Sequence, residues 1–235
     1  MYFNNTKKLS SNELKNIAIL AMFFDHLFSV FVLHESVAGS LLRISGRIVA
    51  PIMCYLIAEG FFHTKDIKKY IVRLFIFALI SHFPYVMYYN LSWWKATSVI
   101  WGLLLGLIAL TVVKNKKFSM AIKLAIVIAC CLLAYTADWN YVSVLWIVFF
   151  GIFRGDFEKQ MVSFSLIGVI LYIFPTILRS GWAHSYAFGI FLAVPLIYMY
   201  SGKQGKKSRL IKWSFYVFYP AHLILLEAAR HAFNV

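Results

Sequence analysis

The sequence predicts an all-α fold, a polytopic transmembrane helical bundle of about nine spans with a cytoplasmic N-terminus, forming one integral membrane domain over residues 1–235. Three observations lead there. Of the residues, 62% are hydrophobic and 18% aromatic, and the mean hydropathy is +0.76, more than the surface of a water-soluble domain of this size tolerates. The apolar residues come in continuous runs without the period-two alternation of a transmembrane β-strand, which excludes a barrel. The connecting segments are short and leave no room for a soluble domain, a low-complexity tract or an internal repeat.

The first span, centred near Phe24, contains AMFFDHLFSV, with Asp25 and His26 in an otherwise apolar run. Its basic approach imitates a signal peptide, but no small-residue cleavage pattern follows, so the expectation is a retained first helix. The second, near Ile52, holds Arg43 and Arg47 and ends at Glu59 and Gly60 before HTKDIKKY. The third, near Ile80, holds His82 within SHFPYVMYY. Plain apolar spans follow near Leu105 and Val127, then a short one near Ile147 that extends only from Tyr141 to Phe153. Spans near Ile170 and Leu192 precede the last, near Leu223, which carries His222 in FYPAHLILLEAAR. Trp93, Trp94, Trp139 and Trp182 at outer junctions read as an interfacial belt. Cys54, Cys130 and Cys131 lie in apolar spans with no metal-type spacing and read as small buried residues.

Charge sets the orientation. Lys and Arg total 23 against 9 Asp and Glu, a net charge of +14. In a soluble protein that excess would suggest nucleic acid, but the basic residues sit at alternate short junctions: Lys7, Lys8 and Lys15; Lys65, Lys68, Lys69 and Arg73; Lys114, Lys116, Lys117 and Lys123; Arg154 and Lys159; Lys203, Lys206, Lys207, Arg209 and Lys212. The opposite junctions hold only Lys95, Arg179 and Arg230. The positive-inside rule makes the N-terminus cytoplasmic and, with nine crossings, puts the C-terminus outside. Anionic lipid explains this distribution better than a nucleic acid partner.

A charged side chain near the middle of a span costs on the order of 2.5–3.5 kcal/mol even on the lenient insertion scale, so each needs a partner or a water-filled cavity. Adjacent residues on a helix point about 100° apart, so Asp25 and His26 each need their own partner. Asp25 pairing with Arg47 or Arg43 would neutralise both charges and leave His26 facing a cavity; the sequence leaves the choice open. Arg43 and Arg47, four residues apart, share a face, and either can snorkel to the outer headgroups. Counted from the cytoplasmic ends, His26, His82 and His222 lie roughly 15–18 Å deep, with Arg47 somewhat higher, so four helices could bring polar side chains into one layer. His82 and His222 read equally well as packed structural residues. Glu59 is either an interfacial anchor or the lower wall of a site.

Four stretches, LKNIAILAMFFDH from Leu14, LRISGRIVAPIMCYLIAEGFFHTKD from Leu42, KKYIVRLFIFALISHFPY from Lys68 and YSGKQGKKSRLIKWSFYVFYPAHLILL from Tyr200, together resemble the TraX family. These are membrane proteins associated with N-acetylation of conjugative pilin, grouped with the wider transmembrane acyltransferases. Residues from about Val99 to Ile177 match by hydropathy alone. The resemblance implies a multi-pass protein of the bacterial cytoplasmic membrane that transfers an acyl group, acetyl from cytoplasmic acetyl-CoA, to an amine or hydroxyl acceptor in or across the membrane. Lys15, ten residues and then His26 repeats a pattern of related acyltransferases. Eleven residues of helix is about 16 Å, comparable to the pantetheine arm, so Lys15 would hold coenzyme A phosphate at the cytoplasmic mouth while His26 meets the thioester. An ordinary positive-inside anchor is the competing reading of Lys15.

On this reading His26 is the general base, Asp25 its paired neighbour, and Arg47 with Arg43 stabilises the oxyanion or an anionic acceptor. His82 and His222 complete the polar wall on the substrate side, and Glu59 lies on the coenzyme side. Direct transfer and an acyl-histidine intermediate both fit. A peptide N-terminus, a glycan or a lipid amine remains open as acceptor. The rivals are a transporter, which lacks paired broken segments in two repeated halves, and an intramembrane zinc hydrolase, which lacks a metal motif.

Overall fold

The computed structural model of the chain describes residues 8–31, 43–206 and 208–233. Lys7, Leu42 and Lys207 lie outside the described residues. The fold is all-α: α1 (Ser11–Phe31), α2 (Val49–His63), α3 (Ile67–Tyr88), α4 (Val99–Lys114), α5 (Met120–Leu133), α6 (Asn140–Ile152), α7 (Phe157–Gly168), α8 (Phe174–Ser180), α9 (Ala193–Tyr198) and α10 (Arg209–Phe233). A π-helical turn, Val169–Ile173, joins α7 to α8, and a 3-10 helix, Trp182–Leu192, precedes α9. The π turn has a cause in Pro175, which lacks an N–H and whose ring crowds the carbonyl four residues back; widening the turn accommodates both.

The protein is a multi-pass membrane protein. Among the described residues, Arg43–His63, Ile67–Tyr88 and Phe157–Ser180 are long and apolar enough to cross a bilayer. That is fewer than the nine spans read from hydropathy, and among the described residues the other apolar helices fall short in three ways. Apolar helices α5 and α6, of 14 and 13 residues, reach about 20 Å against a hydrocarbon core of about 30 Å. By contrast α1 and α10, of 21 and 25 residues, have the length but interrupt their apolar faces with charged and polar side chains. The 3-10 helix with α9 is a third case: 11 and 6 residues, interrupted by a kink at His184, where the backbone leaves helical geometry (φ −94°, ψ 18°).

The chain folds as two compact units, Met1–Met53 with Ile173–Val235, and Cys54–Tyr172. In the first, a capping box starts α1: the Glu13 Oε2 accepts from the Ser10 N–H at 2.7 Å while the Ser10 Oγ accepts from the Glu13 N–H at 3.3 Å. The strand-like approach to α1 pairs with the loop before α10, Leu9 N–H donating to the Met199 carbonyl (3.0 Å) and Ser201 N–H to the Leu9 carbonyl (2.8 Å). Helices α1 and α10 then run side by side in the same direction. Lys15 Nζ lies 5.1 Å over the Phe215 ring, Phe23 meets Phe218 edge-on, and His26 meets His222.

In the second unit α4 and α6 also run parallel, in contact at Gly102 with Ser143, Gly106 with Ile147 and Leu110 with Gly151. Gly102 and Gly106, four apart, leave a smooth face on α4 that lets the two backbones approach; a Cβ on Gly106 would collide with the Ile147 side chain. Trp146, wholly buried, donates its indole N–H to the Phe164 carbonyl at 3.2 Å, and the Gln160 amide donates to the Phe150 carbonyl at 2.7 Å, so both side chains are tied to helix backbone.

Candidate functional site

Within the first unit the polar residues form two adjoining groups. Residues 43–46 make a helical turn, and the Arg47 N–H donates to the Ile44 carbonyl at 3.2 Å in a tight turn that leads into α2. From this turn Arg47 donates to the Asp25 carboxylate of α1 at 3.1 Å. Gly46 makes the approach possible, since a Cβ there would overlap the Asp25 carboxyl carbon. Tyr186 of the 3-10 helix supplies the opposite wall: the Arg43 and Arg47 guanidinium groups lie 5.4 Å and 5.5 Å from its ring centroid, and Arg43 donates to its hydroxyl at 3.4 Å. A 3-10 helix eclipses residues three apart, so Gly189 falls in line with Tyr186 and packs directly against the Ile44 carbonyl and Arg47.

His26, next in the chain to Asp25, turns to α10. Its Nδ1 lies 2.8 Å from the His222 Nε2, and the His222 Nδ1 lies 2.9 Å from the Phe218 carbonyl oxygen. His222 is only 3% exposed, parallel to the Phe218 ring at 4.9 Å and edge-on to Tyr219 at 5.6 Å. Lys15 stands on the same face of α1 as His26, because eleven residues are three turns and about 20°. The α1–α10 seam therefore carries a cation at one end and an imidazole pair at the other.

Glu59 and His82 belong to the second unit. Glu59, nearly buried near the end of α2, takes a two-point bond from Arg154, with Nε to Oε1 at 2.8 Å and Nη2 to Oε2 at 3.3 Å, and His63 Nε2 lies 3.4 Å from its Oε2. The Arg154 guanidinium also covers Phe62 at 4.6 Å. His82 is half-buried on α3. Sequence reasoning missed Tyr186 as the shared surface beneath two arginines, and Arg154 as more than a junction charge. For Tyr186 the only available signal was an aromatic residue three before a glycine, which has no meaning until the segment is known to be 3-10.

Chemically, the first unit offers a hydrogen-bonded imidazole, a neutralised guanidinium and a second guanidinium on an aromatic face. That set suits proton transfer beside a developing negative charge. Among the described residues, no group of three or more His, Cys, Asp and Glu side chains could hold a metal ion.

A protein of Dichelobacter nodosus described as a "probable fimbrial assembly protein FimC, serogroup H1" is 28% identical over 235 aligned positions, covering 94% of this chain and 96% of the relative. No solved structure matches the chain. The family described as "TraX protein" matches residues 10–230, a range that takes in α1, the arginine turn, Tyr186 and His222 together. The chain belongs to the TraX family.

Proposed function

We propose that residues 1–235 act as one integral membrane acyltransferase that moves acetyl from cytoplasmic acetyl-CoA to an amine or hydroxyl acceptor in or across the membrane. The observation that carries this reading is the α1–α10 seam, where Lys15 and His26 share a helix face and His26 is held against His222. Lys15 binds coenzyme A phosphate at the cytoplasmic end, and the thioester reaches His26 about 16 Å further along. His26 takes the proton from the acceptor as its nitrogen or oxygen bonds to the thioester carbonyl carbon. Arg47, held by Asp25, and Arg43 on Tyr186 stabilise the oxyanion. Collapse expels the coenzyme A thiolate, which takes the proton back from His26.

The parallel course of α1 and α10 supports the topology read from charge: if both helices cross, an odd number of crossings separates the termini, as nine would, with the N-terminus cytoplasmic. In the second unit, Glu59 serves by orienting Arg154 through its two-point bond. The D. nodosus relative's description as a fimbrial assembly protein puts a peptide N-terminus first among the acceptors to try.

The test uses purified protein in detergent with acetyl-CoA, following binding and slow hydrolysis in wild type, His26→Ala and Lys15→Ala. His26→Ala is expected to bind acetyl-CoA and lose turnover by about 10²–10⁴-fold, and Lys15→Ala to lose affinity. A wild type that does not bind acetyl-CoA defeats the reading and turns attention to transport.

A further inference from the structure

The protons of the His26–His222 pair can be assigned from their partners. A carbonyl oxygen only accepts, so the His222 Nδ1, 2.9 Å from the Phe218 carbonyl, carries a hydrogen. A neutral His222 then presents a bare Nε2, and the hydrogen in the 2.8 Å contact between the rings sits on the His26 Nδ1. The ring planes differ by 6° and the centroids are 5.1 Å apart. That is close to the greatest separation two five-membered rings can have when their nitrogens are 2.8 Å apart, so the rings lie edge to edge in one plane and the hydrogen bond is straight. A neutral imidazole with its hydrogen on Nδ1 carries its lone pair on Nε2.

We propose that His222 is a positioning residue for acyl transfer: it fixes His26 in the tautomer and orientation that make Nε2 the base. This deepens the reading of His26 given above and rests on it. In the reaction the acceptor N–H or O–H proton passes to His26 Nε2 while the acceptor's electron pair forms the new bond to the carbonyl carbon. The resulting imidazolium keeps its Nδ1 hydrogen bond to His222, which spreads the positive charge toward the Phe218 carbonyl. When the tetrahedral centre collapses, the carbon–sulfur bond breaks and the thiolate takes the proton from Nε2, so His26 returns to its starting tautomer. His222 is suited to the task by immobility: its Nδ1 is tied to its own helix, and Phe218 and Tyr219 flank its ring. Turning the ring over would break both hydrogen bonds at once.

Two measurements on the full chain test this. In ¹⁵N-histidine-labelled wild type in micelles, the spectrum of His26 is expected to show a hydrogen on Nδ1, none on Nε2, and a scalar coupling from Nδ1 to the His222 Nε2. A hydrogen on His26 Nε2 overturns the proposal, and this readout needs no acyl donor, so it stands apart from any failure of the acyltransferase reading. In turnover of acetyl-CoA, His222→Leu is expected to lower kcat by about 10²-fold or more with KM for acetyl-CoA little changed. His222→Gln, whose amide oxygen accepts from Nδ1–H, recovers a large part of the loss. A folded His222→Leu protein with the wild-type kcat, or a loss confined to KM, overturns the proposal.

Discussion

Asp25 and Arg47 close their 3.1 Å ion pair over a glycine: the Asp25 carboxyl occupies the place where a side chain on residue 46 would begin. The pair joins α1 to the turn before α2, and it sets Arg47 on the Tyr186 ring. A membrane segment accommodates this guanidinium because its charge is compensated at contact distance and its flat face is covered.

Gly46→Ala is therefore expected to be destabilising in spite of its small size. The added methyl has no route past the Asp25 carboxyl, and overpacking of this kind costs about 1–3 kcal/mol. Thermal unfolding in detergent measures it, and an unchanged midpoint would mean the carboxyl is not seated there.

Removing one member of the ion pair strands the other. Asp25→Ala is expected to cost about 3 kcal/mol, toward the low end for broken buried pairs because the Arg47 and Asp25 side chains keep 24% and 15% exposure. The double variant Asp25→Ala with Arg47→Met should recover much of the stability. If the double variant is no more stable than the single one, the charges are not paired in the folded protein.

The α4–α6 contact predicts a compensating pair. Gly106→Val drives a branched side chain into Ile147, with an expected cost of about 1–3 kcal/mol, and Ile147→Ala in the same chain should relieve part of it. The coupling in a double-mutant cycle is the quantity to measure; additive effects would place the two residues apart.

Acid sensitivity should reside partly in two helix caps, those formed by Asp66 and Asp156. Asp66 accepts from the Lys69 N–H at 3.0 Å, and that backbone bond holds its carboxyl below the ordinary 3.8. Asp156 is held below the same value by the Lys159 side chain and by its N–H at 3.1 Å. A carboxylate depressed on folding contributes stability that is complete above its unfolded pKa and lost as pH falls through the folded one. Wild type should accordingly lose its advantage over Asp66→Ala with Asp156→Ala as the pH is lowered below about 4. A difference in melting that persists unchanged to pH 3 would exclude the caps as its source.

How much of the candidate site was legible varies residue by residue. That Asp25 needs a cation follows from the cost of burying charge, but Arg43 and Arg47 were equal candidates by sequence. Gly46 decides between them through a contact that its neighbours in sequence do not announce. Counting residues from the cytoplasmic ends gave His26 and His222 similar depth, yet depth does not say which faces meet. The 3-10 stretch at Trp182–Leu192 was illegible because its residues, WAHSYAFGIFL, suit an α-helix as well. Only the 3-residue period lines up Tyr186 and Gly189 against the arginine turn.

By itself the amino-acid order determined that this protein is helical, multi-pass and membrane-embedded, and that a few charged residues on its helices need partners. Those conclusions rest on hydropathy and charge, which are sums over neighbours along the chain and need no knowledge of packing. The tertiary structure decided the partners: Arg47 for Asp25 across 22 residues and His222 for His26 across 196. It also decided which apolar runs make helices of full membrane length. Pairing of this kind depends on which helix faces come together and how closely, and the close approaches at Gly46 and Gly106 leave no room for a side chain.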